Sequence, residues 1–239
     1  MHETDVVVVG GGVAGLTAGM FTARNGLETV VYDAGGSILQ RNAHLENVPG
    51  FPAGINARQY LELLTDQARR AGCTIHEAMV SALERTEAGF AGVLEEGNQW
   101  RADRVIAASK NEVGYLADLE SLEIREYGKP FVVTDDRGRT GVDGLYAAGR
   151  LAGVPHQAVV AAGHGATVAV TLLEDHEAGF YHDWVAPEGY FTERGRPVPP
   201  GVEEIDETER RRRERASVEY LSGALQPGQE EPETHPSLE

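Results

Sequence analysis

The apolar positions of the chain follow two rhythms, one of strands and one of helices. Val6 to Val9 are four consecutive valines, too short a run for a buried helix and rich in β-branching. DVVVVGGGVAGLTAG, Asp5 to Gly19, therefore opens on a strand buried on both faces. Ala14 to Ala23 continues as a small-residue helix that ends before Asn25-Gly26, and Leu27 to Tyr32 reads as a second strand that stops at Asp33. Tyr60, Leu61, Leu64 and Ala68 recur at helical spacing behind Asn56, an N-cap residue, which predicts an amphipathic helix to about Ala71. Cys73 to His76 follows as a third parallel strand. Alternation at Val80–Arg85, Phe90–Leu94 and Trp100–Arg101 predicts a small antiparallel meander, with Val105 to Ala108 returning to the parallel sheet. Asn111 to Lys129 reads as a short helix from Tyr115 and a loop, Phe131 to Thr134 as a strand, and Gly144 to Ala148 as a last buried strand. A helix from about His156 to Leu173, small on one side, closes an α/β domain.

Between the first strand and its helix, Gly10, Gly12 and Gly15 hold the GxGxxG spacing. Glycine is required there for the tight turn, for close approach of a pyrophosphate to bare backbone, and for packing of helix on strand. The free amides and the helix dipole then face an anion. Asp33, 23 residues after Gly10 at the end of the second strand, is placed to accept from the hydroxyls of an adenosine ribose. Late in the chain GLYAAGR again hands a strand to a helix at the carboxyl edge of the sheet, where open α/β sheets place ligands.

Charge and cysteine usage narrow the function classes. With 38 acidic against 21 basic residues, the formal net charge of -17 argues against a general attraction to nucleic acid or anionic lipid. Lys110 and Lys129 are the chain's two lysines, and an acidic, lysine-poor surface resembles those of proteins from salt-loving archaea, where salt screens self-repulsion. No run approaches the roughly 20 apolar residues of a membrane span, and the N-terminus lacks a signal-peptide pattern, so a cytoplasmic location is expected. Cys73, the single cysteine, excludes an intramolecular disulfide, a two-thiol redox centre and a cysteine metal cluster, and reads as a small buried side chain. The scattered histidines show no metal-ligand spacing.

Beyond Glu177 the composition shifts. Phe180, Tyr181, Trp184, Tyr190 and Phe191 stand among prolines and glycines in an irregular extension whose aromatics are expected to dock on the main body, on a partner subunit or over the ligand. Asp206 with Glu209 makes a capping-box-like start to a helix, Glu207 to Leu221. Its arginine run is interleaved with Glu207, Glu209, Glu214 and Glu219, which makes an ion-paired face rather than a nucleic-acid site. Gln226 to Glu239, with three prolines and four glutamates, reads as disordered. The implied organisation is a domain over residues 1–175, an aromatic extension over 176–205, a helix over 206–223 and an acidic tail over 224–239.

Five separated pieces occur in one order: the opening glycine motif, ENVPGFPAGI at Glu46 to Ile55, the strand ending AAS, GLYAAG at Gly144 to Gly149, and HQAVVAAGHGA at His156 to Ala166. Together they resemble the FAD-binding domain of the thioredoxin reductase family over about Thr4 to Glu174. The resemblance implies a three-layer FAD/NAD(P)-binding Rossmann-like fold with a parallel central sheet, a small antiparallel meander and a C-terminal extension. It also implies FAD as cofactor. On this likeness Gly10, Gly12, Val13, Ala14 and Gly15 hold the pyrophosphate, Asp33 the adenosine ribose, and Asn47 the flavin end. Val80 touches adenine by its backbone and Ala108 lies beside the cofactor. Gly149 and Arg150 flank the ribityl chain, while His156, Gln157 and Ala158 present a helix N-terminus to the flavin. That last placement suits a ring that gathers negative charge on reduction.

Three departures from the family pattern bear on function. About 20 residues, Lys110 to Lys129, stand where relatives insert a second, NADPH-binding domain, far short of the roughly 50 residues a domain needs. The family's disulfide motif belongs to that missing domain, so on this reading the chain's own thiols cannot reduce thioredoxin. Arg150 replaces the aspartate of AAGD, and a guanidinium has donors only. Two accounts fit: FAD held in an altered way with Arg150 on the diphosphate, or a site that binds another nucleotide or nothing. The corresponding functions are a flavoprotein oxidoreductase with an external electron partner and a non-catalytic nucleotide-binding or interaction module. His156 and His164 are candidate proton relays with no assigned catalytic acid or base. A homodimer is expected, because a domain without its usual neighbour leaves surface to be covered. The acidic surface predicts a melting temperature that falls on dilution from molar to low salt; an unchanged melting temperature would refute salt adaptation.

Overall fold

The computed structural model describes residues 2–176, 180, 182–225 and 231–234. These fall into two units, Met1–Leu172 with Glu231–Glu239, and Leu173–Glu230, each considered by itself. The expected disordered tail lies outside the described residues except at 231–234.

In the first unit β1 (His2–Val9) carries the valine run, and Val6, Val7 and Val8 are fully buried, as strands covered on both faces must be. Burying each such side chain contributes on the order of 1.5–3 kcal/mol. The chain turns into α1 (Val13–Arg24), runs back through β2 (Thr29–Asp33), and crosses by α2 (Ala57–Ala71) to β3 (Thr74–Glu77). Asn56 caps α2 through Oδ1, which accepts from the amides of Arg58 and Gln59. A left-handed Gly72 ends the helix. The meander is β4 (Val80–Thr86), β5 (Gly89–Leu94) and the start of β6 (Gln99–Ala107).

One expectation is corrected here. Trp100–Arg101 and Val105–Ala108, read as separate strands, are one continuous β6. Its whole length pairs in parallel with β1, while on its other edge the first half pairs with β5 and the second half with β9 (Leu145–Ala147). Alternation at one end and a fully buried run at the other gave the segment two sequence signatures, because its two halves have different neighbours. The sheet order is β3-β2-β1-β6-β5-β4, with β9 beside β6.

The predicted short helix from Tyr115 is a single 3-10 turn, Gly114–Leu116. β7 (Ile124–Glu126) and β8 (Pro130–Val132) form a separate hairpin. α3 (Ala158–His176) begins two residues later than predicted. Three layers result. Helix α1 covers one face of the sheet, with Gly19 against Val31 and Cys73. The other face, including Val7, Val9, Val30, Tyr32, Val105 and Leu145, packs on Leu83, Phe90, Trp100, Leu116 and Leu151. Cys73 is buried and its thiol is pushed up to about 12, so it stays a protonated core side chain.

The second unit is more ordered than an irregular extension. β10 (Trp184–Pro187) and β11 (Val202–Ile205) pair in parallel, and α4 (Glu207–Ala224) follows Asp206, whose carboxylate accepts from the Glu209 amide. Trp184, Tyr190 and Phe191 meet edge to face, and the Glu204 carboxylate gathers the amides of Gly189, Phe191 and Thr192. The arginine run is ion-paired as expected, with Arg210 to Glu214, Arg211 to Glu207, Arg212 to Glu209 and Arg213 to both Glu203 and Glu209.

Helix α3 reaches α1 through Gly165, where a β-carbon would stand 2.2 Å from the Ala14 carbonyl oxygen. Gly165→Ala is therefore expected to destabilise the first unit by about 1–3 kcal/mol, the usual range for overpacking, read as a fall in melting temperature with the α/β circular dichroism retained below the transition. An unchanged melting temperature would show that α3 can move away without loss.

Candidate functional site

The carboxyl ends of β1, β2, β6 and β9 share one edge of the sheet, because all four run parallel. Gly10 leaves β1 with φ of 113°, a left-handed turn that glycine favours, and donates to Tyr32 O at 2.8 Å. A β-carbon there would meet Ala108 O at 2.6 Å, so the end of β6 supports the turn from below. Gly15 is forced as well, since its β-carbon would lie 1.9 Å from Gly10 O. Gly12 is different: nothing lies within 4 Å of its missing side chain, and no side chain caps α1. The first bond of the helix is Leu16 N to Gly12 O, which leaves the amides of the first turn without intrahelical acceptors. Open space over uncapped helix amides is a seat for a phosphate group.

Asp33 closes one side of this seat. Its Oδ1 accepts from Gly11 N at 3.3 Å and Gly35 N at 3.0 Å, so the acid is locked at the turn while Oδ2 makes no hydrogen bond among the described residues. The Asp33 carbonyl accepts from Ala78 N at 2.9 Å, which ties in the segment leading to Val80, a buried residue at the start of β4. The other side is built from the late strand. Gly149 follows β9 with φ of 66°, and a β-carbon on it would stand 2.6 Å from that of Ala14. The two strand-to-helix junctions thus touch at Ala14.

The loop after β2 completes the wall. Leu39, Leu45, Val48 and Ile55 pack in one cluster with Val13 and Ala158, joining the starts of α1 and α3. Asn47 Nδ2 donates to Gln157 Oε1 at 2.9 Å. The first bond of α3 is Ala161 N to Gln157 O, so the amides of Ala158, Val159 and Val160 precede it, and the Val159 and Val160 side chains are exposed. A helix N-terminus beside exposed valines suits a planar ring with an electron-rich edge. The residues predicted for a dinucleotide therefore lie around one edge of the sheet. A cleft of about 620 Å³ lined by Tyr32, His76, Glu77 and Ala78 opens beside β3 and contains none of the predicted cofactor residues.

Known proteins give this geometry a family. Residues 5–43 match the FAD binding domain family, and residues 56–165 match the pyridine nucleotide-disulphide oxidoreductase family. The chain carries a thioredoxin reductase-like FAD-binding domain. Thioredoxin reductase of Rickettsia prowazekii is 29% identical over 127 residues, covering 52% of this chain and 41% of that protein. The thioredoxin reductase of Schizosaccharomyces pombe is 36% identical over 119 residues, covering 46% and 37%. The chain thus spans about two fifths of the length of these relatives. A thioredoxin reductase structure from Gloeobacter violaceus shares the fold with TM-score 0.67 at 19% identity, covering 74% of this chain and 96% of that one. An oxidoreductase from Agrobacterium tumefaciens gives TM-score 0.65 at 14% identity, covering 73% and 98%.

In this thioredoxin reductase-like domain, Arg150 is held in place. Its Nε donates to Asn111 Oδ1 at 2.6 Å, and Nη1 lies 2.6 Å from His156 Nδ1, an acceptor in that pair. Sequence reasoning missed the parts played by Asn111 and Lys110. Asn111 also donates to Pro130 O at 3.0 Å, fixing the segment between β6 and β8. Lys110 has φ of 67° without being glycine. Ser109, which stands where the ATG strand end of the resembled family has glycine, uses its hydroxyl on Glu112 O and Tyr115. His164, considered as a proton relay, accepts the Gly149 amide at Nδ1 at 3.0 Å. The signal was present for His164, which sits in AAGHGA, but its target is fifteen residues back across a turn. Among the described residues no cluster could hold a metal ion.

Burial pulls the His164 pKa below its ordinary 6.5, in keeping with a neutral ring that accepts from Gly149. Between the folded and unfolded pKa the unfolded chain binds more protons, so this contribution to stability is full above about pH 6.5 and is lost as pH falls. The stability difference between wild type and His164→Ala is expected to shrink as pH drops below 6.5, followed by denaturant unfolding; a difference that grows on acidification would contradict the assignment.

Proposed function

We propose that the protein is a FAD-dependent, thioredoxin reductase-like oxidoreductase that exchanges electrons with an external donor or acceptor and performs no disulfide chemistry of its own. The observation that carries this reading is the contact of Gly149 and Gly165 with Ala14, which brings an uncapped α1, the start of α3 and Asp33 to one elongated seat. The chain's residues fit the cofactor: Gly12 leaves room for close approach, first-turn amides of α1 are free for a diphosphate, and Asp33 Oδ2 is free for a ribose. Asn47 and Gln157 would orient the flavin end, with the amides of Ala158 and Val159 aimed at the ring. Bound there, FAD supplies hydride and single-electron transfer.

Two features support the absence of internal disulfide chemistry. Cys73 is the single cysteine, buried and held protonated, so no thiol pair can pass electrons to a substrate disulfide. The segment between β6 and β8 is built as a 3-10 turn and one strand of a hairpin, which holds no second dinucleotide domain. On this reading electrons reach the domain from outside it. No helix among the described residues is long and apolar enough to cross a membrane, and a location in the cytoplasm and a homodimer remain part of the same proposal.

The purified chain is expected to show flavin absorption near 375 and 450 nm, of the order common to oxidised flavins, or to acquire it on adding FAD. Arg150→Asp is expected to weaken FAD binding by about tenfold or more, the scale of one charge-assisted hydrogen bond. A colourless protein that takes up no FAD would overturn the reading, and tighter binding in the variant would show that Arg150 marks a decayed site.

A further inference from the structure

In a chain this acidic, basic side chains are expected to find carboxylates, as Arg125 does with Glu123, Arg139 with Asp135 and Arg213 with Glu203. Arg41, Lys110, Lys129 and Arg150 are among those that form no ion pair within the described residues, and these four, from separate segments, are gathered together. They are also close enough that Arg41, Arg150 and Lys129, after burial itself, hold the Lys110 pKa below its ordinary value. Like charges gathered without counter-charges destabilise a fold unless an anion joins them.

The geometry gathers them over the glycine turn. β1 lies between β2 and β6 in the sheet. The Lys110 ammonium, leaving the end of β6, comes within 3.5 Å of Gly36 O beyond the end of β2, and so spans the end of β1. Lys110 does this from a left-handed backbone that side-chain-bearing residues avoid, which the surrounding structure must impose. Arg150 is aimed by Asn111 and His156 through Nε and Nη1, leaving Nη2 for another acceptor. Asn111 in turn holds Pro130, next to Lys129. Arg41 ends the 3-10 turn Ile38–Arg41, and its Nε is buried with no acceptor among the described residues. Such an atom costs free energy until a partner arrives. Arg41, Lys110 and Arg150 are half-buried, so the cluster suits a small group with several negative charges rather than a flat polymer surface.

The geometry points to a diphosphate-recognising site made by Arg41, Lys110, Lys129 and Arg150 at the carboxyl edge of the sheet, additional to the N-terminus of α1. Two sources carry that chemistry: the diphosphate of FAD itself, and a phosphate-bearing external electron donor. Only the choice between them rests on the flavoprotein reading. The probe is inorganic pyrophosphate, titrated calorimetrically into FAD-free protein at fixed ionic strength. Saturable binding is expected, weakened about tenfold in Lys110→Gly, the scale of one charge-assisted contact. That variant removes the ammonium while easing the backbone, so its melting temperature is expected to hold or rise. Arg85→Gln, whose arginine faces Asp143, serves as the control with unchanged affinity. No saturable binding, or equal affinity in Lys110→Gly and wild type, overturns the site. In a second arm the protein is first saturated with FAD, verified by its visible absorption. Loss of the pyrophosphate signal assigns the cluster to the cofactor's diphosphate, and retained binding assigns it to a second ligand. A chain that takes up no FAD fails the flavoprotein reading and leaves the first arm to decide the site.

Discussion

The close approach of α3 to α1 is the constraint on which the rest of the molecule depends. Gly165 lies against the Ala14 carbonyl and Gly149 against the Ala14 side chain, with no room for a β-carbon at either position. Helices whose contact residues carry larger side chains keep their axes 8–10 Å apart. Here small residues let α3 cross two turns in from its start close against the beginning of α1, while Val13 and Ala158, the first residues of the two helices, share one apolar cluster. The first-turn amides of both helices are thereby left at the same edge of the sheet. His164 fixes the third component by accepting the Gly149 amide, so the late turn cannot swing away from the early one.

This arrangement also explains why the sheet is built as it is. β6 has to end at Ala107, so that Ala108 lies under Gly10 and supports the early turn, and has to carry β9 beside it for the late turn to arrive at the same level. It satisfies both by pairing with β1 over its full length and dividing its other edge between β5 and β9. On the face away from α1 the buried rings of Tyr32 and Trp100 stack on one another, and the exposed ring of His76 stacks on Tyr32 from the neighbouring β3.

Much of this was legible in the residues. The valine run, the glycine spacing, Asp33 and the Asn56 cap each act over a few residues, and each produced the local structure that its chemistry requires. β6 was divided in two because periodicity reports which faces are buried, and those faces change where the neighbouring strand changes. The parallel pairing of β10 with β11 was missed because four-residue strands separated by a proline-rich loop leave no period to read. In the site, the turns that bare their backbone were readable from glycines, whereas the placements of Asn111 and Lys110 were not. Their roles depend on tertiary neighbours in Pro130, Arg150 and Gly36 that no spacing encodes. The one clue was compositional: the chain's two lysines bracket the shortened segment between β6 and β8.

The contact between Ala14 and Gly165 has a consequence for how the molecule comes together. It joins residues separated by most of the first unit, and such distant closures form slowly because chain entropy is lost before any contact repays it. A molecule lodged between the two junctions would hold both ends of that closure at once and lend the native state RT ln(1 + [L]/Kd) of extra stability. Occupancy of the edge and persistence of the fold would then rise and fall together.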